Sequence, residues 1–208
     1  MTEPTTEEIL SGGAALPPVE PADEFATQIA DQVKSFLIAL RAVAAEGDPG
    51  TGISILLLEI SQILLAGARL GAQMDFTPAS DYQPDVGPEA DLDRLRLRLA
   101  ELFGDVDTYS FVFDPYDPEQ VESQLSDDLT SIASDLENGL RHFRNGDTSE
   151  ALWWWQFSYV SNWGNLAGAV LNALLSVVTH DRLDVEFTGE SDEIAAAEEM
   201  LGHTPEAG

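Results

Sequence analysis

Three adjacent tryptophans, Trp153, Trp154 and Trp155, stand in the run ALWWWQFSYVSNWGNLAGAV, which continues through Tyr159, Asn162 and Trp163. Successive residues on a helix point about 100° apart, so the three indoles cannot share one face. At least one is expected at an interhelix seam, beneath a loop or exposed, and exposure would make a binding surface. Ser158, Asn162 and Asn165 follow one another at steps of four and three, a polar stripe on an otherwise apolar helix. On another segment Glu59, Gln62 and Arg69 project within about one quadrant. Two arrangements fit. One is a buried polar network that fixes helix register, with Arg69 paired to Glu59 or to Asp127 or Asp128. The other is a small-molecule pocket between helices, lined by Trp155, Tyr159, Asn162 and Trp163, on which Glu59 and Arg69 converge.

Other chemistries lack their residues. His142, His180 and His203 lie far apart and form no two-histidine motif on one helical turn, so no structural zinc site is expected. The loop aspartates do not follow the alternating ligands and central glycine of an EF-hand. A helical nucleotide pyrophosphatase would hold magnesium with carboxylates on two helices. The nearest approximation is Glu59 with Asp127, Asp128 and Asp135, but Gln62 stands where a second carboxylate would be needed. There is no glycine-rich phosphate loop, nucleophile elbow or dinucleotide fingerprint. No catalytic residue, metal ligand or cofactor site is assigned.

The surface is set by charge. Against 38 Asp and Glu stand 9 Lys and Arg, a formal net charge of -29, and Lys34 is the sole lysine. Phosphate neutralisation needs a basic footprint, and the only local cluster is Arg94, Arg96 and Arg98, so direct nucleic-acid binding is disfavoured, as are anionic membranes. A basic protein partner, or competition with nucleic acid for one, is electrostatically allowed; solubility or adaptation to high salt also accounts for the charge. Cysteine is absent, which removes disulfides and thiolate chemistry. The start MTEPTTEEIL has acids where a secretory signal needs bases. The run from Ile53 to Ala72 is long enough to span a bilayer, but Glu59, Gln62 and Arg69 would be costly there, so a buried helix in a cytoplasmic protein is expected.

The elements that must position these residues are helical by period. A first helix is expected over Ala22–Glu46. A second, over about Thr51–Gln73, is apolar on most of its circumference and should run through the middle of the fold. After an Asp- and Pro-rich loop, a third covers about Glu89–Phe103. Residues 104–118, GDVDTYSFVFDPYDP, break the period as an aromatic loop or short extended segment. A fourth helix is expected from Glu119 to Asn145 and a fifth from the capping residues at Asp147 to about Thr179. The expected fold is an all-α antiparallel bundle of about five helices over residues 21–187. Residues 1–20 read as a disordered acidic arm, and 188–208 as an acidic C-terminal arm in which SDEIAAAEEML offers a short helix.

The strings LLLEISQILLAGARLGA, DVDTYSFVFDPYDP, LSDDLTSIASDLENGLRHFRNGD and EALWWWQFSYVSNWGNLA, in this order, resemble the family called domain of unknown function 5063, common in high-GC Gram-positive bacteria. The resemblance covers roughly residues 25 to 184, and Trp153 to Gly164 is its most specific part. It implies no activity for any residue. It does imply a genomic setting among recombination mediators and a nucleoid-associated protein, and so a partner in DNA maintenance. The reading that follows is a non-enzymatic, acidic protein-interaction module engaging a basic protein. The alternatives are a small-ligand-binding or metal-dependent hydrolytic bundle, and a nucleic-acid mimic.

Overall fold

The apolar period of the first helix is realised as read: α1 spans Ala22–Glu46 and buries Phe25, Ile29, Val33, Phe36, Leu37 and Leu40 along one stripe, in a computed structural model that describes residues 22–78 and 91–202, with side chains through Leu183. Gly47 ends it with a positive φ of 70°, a conformation that costs glycine nothing. The next helix, α2 (Pro49–Gly71), starts earlier than its apolar run. Proline occupies the first turn, and Asp48 caps it by accepting a hydrogen bond from the Thr51 amide at 3.3 Å. The Thr51 side chain and then its amide hold the Asp48 carboxyl below its ordinary range.

Helix α2 does not run through the middle of the fold. It packs on α1 and on the last helix, and its outer face leaves Leu58 56% and Leu65 65% exposed. It is the only described helix long and apolar enough to cross a membrane, and its buried side is built into the common core.

Residues 1–20, read as an acidic arm, lie outside the described residues, as do residues 79–90 of the Asp- and Pro-rich connection. The third helix, α3, is Asp93–Phe103, shorter than the expected span from Glu89, and buries Leu99, Leu102 and Phe103.

After a 3₁₀ turn at Gly104–Val106, residues Thr108–Asp114 form β1 and Asp117–Gln124 form β2, an antiparallel hairpin, so the fold is mostly helical and not all-α. The expected helix from Glu119 therefore begins six residues late, as α4 (Leu125–Arg144). Glu119–Gln124 is rich in residues that favour helices, but two nonlocal interactions decide otherwise. β1 is dense in strand-forming Tyr109, Phe111, Val112 and Phe113, and the turn, where Asp114 accepts from the Tyr116 amide at 2.8 Å, folds the next residues back onto it. The start of α4 is then fixed by a residue far upstream. Buried Asp107 accepts from both the amide and the hydroxyl of Ser126 at 2.8 Å, and its carbonyl accepts from the Leu125 amide. Asp107→Ala should lose this cap and leave Ser126 unsatisfied, lowering stability by about 1–3 kcal/mol in urea unfolding. An unchanged unfolding midpoint would show that α4 starts without help.

Gly146, with φ 86°, closes α4. The chain returns as α5 (Thr148–Ser158), passes through one π turn (Tyr159–Trp163) and continues as α6 (Gly164–Gly202). These last three pieces form one rod, so the described residues hold five helical rods and one hairpin. The expected end near Thr179 is not observed, and helix continues through the start of the expected C-terminal arm at 188. The core lies where α1, α2, α4 and the α5–α6 rod meet.

Candidate functional site

On α5 the three tryptophans diverge as helical geometry requires. Trp155 points inward and is fully buried; its indole N–H donates to the Leu136 carbonyl at 3.0 Å. It fits because residue 139 is glycine: a Cβ there would strike the indole. Trp154 is half-buried against His142, ring centroids 6.1 Å apart. The Trp154 indole nitrogen and His142 Nδ1 are both buried without a hydrogen bond. Burial, opposed by Asp147 and Glu150, pushes the His142 pKa down, so this imidazole stays neutral. Trp153 is half-buried, edge-on to Trp154 at 5.0 Å and stacked on Phe157 at 5.2 Å. Phe157 is 52% exposed and Val160, three residues on, is 68% exposed. Trp153, Phe157 and Val160 thus form an aromatic and aliphatic stripe at helical spacing on the surface. Phe157 and Val160 are assigned no role from the sequence, although their spacing of four and three from Trp153 is the signal for a shared helix face.

The polar stripe is rearranged by the π turn. A π turn bonds residue i to i+5 and so shifts every later side chain around the axis. Ser158 turns back to the Trp154 carbonyl at 2.6 Å. The Asn162 amide donates to Asp135 on α4 at 2.7 Å, and Asn165 is exposed beside β1. Trp163 is carried into the core, where its indole N–H reaches the Trp155 carbonyl at 3.3 Å. Tyr159 lies against Gly67, Gly71 and Gly164, with its ring centroid 4.8 Å from that of Trp163.

The residues expected to converge therefore separate. Arg69 donates to the Gln28 side chain at 2.6 Å, with its guanidinium 5.2 Å above the Phe25 ring. Glu59 accepts from the Ser35 hydroxyl at 3.3 Å. Both interactions join α2 to α1, not to the tryptophan helix. Arg69 also lines an open groove of about 470 Å³ with Gln28, Asp31 and Gln62, to which neither Tyr159 nor Asn162 contributes. The acidic group considered for magnesium is dispersed as well: Asp127 lies 3.4 Å from Arg96, Asp128 accepts from the Tyr109 hydroxyl at 2.6 Å, and Asp135 holds Asn162. Among the described residues no three His, Cys, Asp or Glu side chains group as metal ligands.

Gln156, like Asp107 and Ser126, is a buried polar residue whose role the sequence does not reveal. Its amide oxygen accepts from the Phe76 amide and its nitrogen donates to the Leu70 carbonyl, both at 2.9 Å, tying the end of α2 to α5. A lone amide between Trp155 and Phe157 was the available signal, since a buried amide must find partners.

Burial raises the carboxyls of Asp128 and Asp135, while hydrogen bonds from Tyr109 and Asn162 respectively pull them down. A carboxyl raised in the folded state adds stability below its unfolded value, about 3.9, and loses it as pH climbs through the folded value. At neutral pH Asp135 is therefore a net cost. Asp135→Asn keeps an acceptor for Asn162 and should raise the thermal midpoint at pH 7. Its advantage over the native chain should shrink as pH falls toward the carboxyl range. A midpoint difference that stays constant with pH would refute this assignment.

The solved structure of protein BF1032 from Bacteroides fragilis is similar at 18% identity with a TM-score of 0.59, covering 72% of this chain and 89% of that one, which supports the fold. No curated protein matches. The model of the family described as domain of unknown function DUF5063 matches residues 20–180, and the chain belongs to that family.

Proposed function

We propose that this domain is a non-catalytic interaction module that binds a basic protein, cytoplasmic and connected with DNA maintenance. The observation that carries the reading is the surface stripe of half-buried Trp153 with exposed Phe157 and Val160, on a chain of net charge -29. Large aromatic side chains in such positions are efficient anchors at interfaces, and a strongly acidic surface steers a basic partner toward them. Direct contact with nucleic acid or anionic membrane is disfavoured by the same charge. The test is affinity capture from the native host with the wild type and with a Phe157→Glu, Val160→Glu double variant, washed at low and raised salt. A partner lost with the double variant and weakened by salt supports the reading. An identical set of captured proteins from both chains would sink it.

The groove beside Arg69 favours a second reading, a small-ligand-binding bundle, with Gln28, Gln62 and Arg69 supplying polar contacts and Leu65 an apolar wall. A thermal-shift screen separates the two, because a ligand at about a hundred times its Kd adds about 2.7 kcal/mol. Absence of any shift across nucleotides, metals and metabolites would remove it.

A further inference from the structure

Between β1 and α6 runs a groove of about 340 Å³ that the aromatic stripe does not touch. On the β1 side it is lined by the consecutive residues Ser110 to Phe113. Alternate residues of a strand point to opposite faces, so a groove lined by both parities follows the backbone edge and not a face. Among the described residues β2 contributes nothing to it, and the sheet has two strands. The groove thus opens on the edge of β1 that has no neighbouring strand among the described residues.

The α6 wall is Asn165, Gly168, Ala169 and Asn172, one face of the helix at steps of three, one and three. Asn165 and Asn172 are exposed, and their amides sit about 10.5 Å apart along the axis, the length of about three strand residues. Among the described residues neither side-chain amide has a hydrogen-bond partner. Between them, a Cβ added to Gly168 would meet nothing within 4 Å. Among the described residues no charged side chain lines the groove, while Asp114, Asp117, Glu119 and Glu122 of the hairpin are exposed, and no lysine or arginine occurs from Leu99 to Leu140.

We infer that this groove accepts an extended basic peptide, added as a third strand to the free edge of β1. Main-chain hydrogen bonds to the edge supply affinity, as in other strand additions. The incoming strand's opposite edge would leave its own N–H and C=O groups unpaired, and the amides of Asn165 and Asn172, each both donor and acceptor, meet them. The acidic hairpin selects for lysine or arginine side chains. The inference builds on the reading of the domain as a module for a basic protein, but uses a surface separate from Trp153, Phe157 and Val160.

The test uses a fluorescent peptide of about ten residues alternating lysine with threonine or valine. The controls are a version with glutamate for lysine and one interrupted by proline, which cannot donate along a strand. The lysine peptide should bind the full chain saturably and shift the backbone amides of Ser110 to Phe113, and neither control should bind. Gly168→Phe, whose Cβ would meet nothing within 4 Å, puts a ring at the groove wall and should weaken binding at least tenfold while the unfolding midpoint is kept. The Asn165→Ala, Asn172→Ala double variant should weaken it severalfold without blocking the groove. No binding of the lysine peptide, equal binding by Gly168→Phe, or unmoved strand amides would overturn the inference. The Phe157→Glu, Val160→Glu variant should bind the peptide as the wild type does, so failure of the stripe and failure of the groove are read separately.

Discussion

Trp155→Ala should destabilise the domain by about 3–5 kcal/mol, the range for removing a large aromatic from a core. The indole is fully buried, holds the Leu136 carbonyl, and occupies the space that Gly139 leaves on α4. The contrast lies two residues away. Trp153 is half-buried and stacked on exposed Phe157, so Trp153→Ala should cost about 1 kcal/mol or less while weakening partner binding. Urea unfolding of the two variants side by side measures the difference. Comparable losses would mean that the tryptophans form one structural cluster with no member reserved for the surface.

Gly67→Ala is the second large effect, and two opposing terms decide its sign. In a helix interior alanine is favoured over glycine by about 1 kcal/mol. Here, however, the added methyl would collide with the rings of Tyr159 and Trp163, and Trp163 is fully buried beneath α2. Overpacking of this kind costs about 1–3 kcal/mol, and with two rings to displace, the collision prevails. Gly67→Ala should therefore lower the unfolding midpoint. The loss should be partly recovered in a Gly67→Ala, Tyr159→Ala double variant when measured against Tyr159→Ala alone, because contacting residues couple by about 0.5–3 kcal/mol. A midpoint raised by Gly67→Ala would place the π turn farther from α2 than described.

What the sequence made legible, and what it hid, follows from how far each determinant reaches along the chain. Helix α1 was readable to its ends because its stripe of Phe25, Ile29, Val33 and Phe36 and its stop at Gly47 are local. The start of α4 was not, because its cap is Asp107, nineteen residues before Ser126, and the intervening hairpin overrides the helical preference of Glu119–Gln124. The tryptophan triplet was correctly read as unable to share one face. The polar stripe beyond it was misplaced, because a constant angular step was carried through Tyr159–Trp163, where one π turn sends Asn162 to Asp135 and Trp163 to the core. Arg69 and Glu59 were identified as polar residues on an apolar helix, but their partners, Gln28 and Ser35, sit on α1. A side chain's direction around one helix does not say which neighbour it will face.

The central claim is that Trp153 lies at the binding surface while Trp155 and Trp163 only support it. Each indole N–H gives its own resonance, so the most direct measurement is a titration of the ¹⁵N-labelled domain with the captured basic partner, following these signals. The account predicts that the Trp153 indole shifts or broadens first, with the hydrogen-bonded indoles of Trp155 and Trp163 unmoved. A complex that forms with the Trp153 signal unchanged would contradict it.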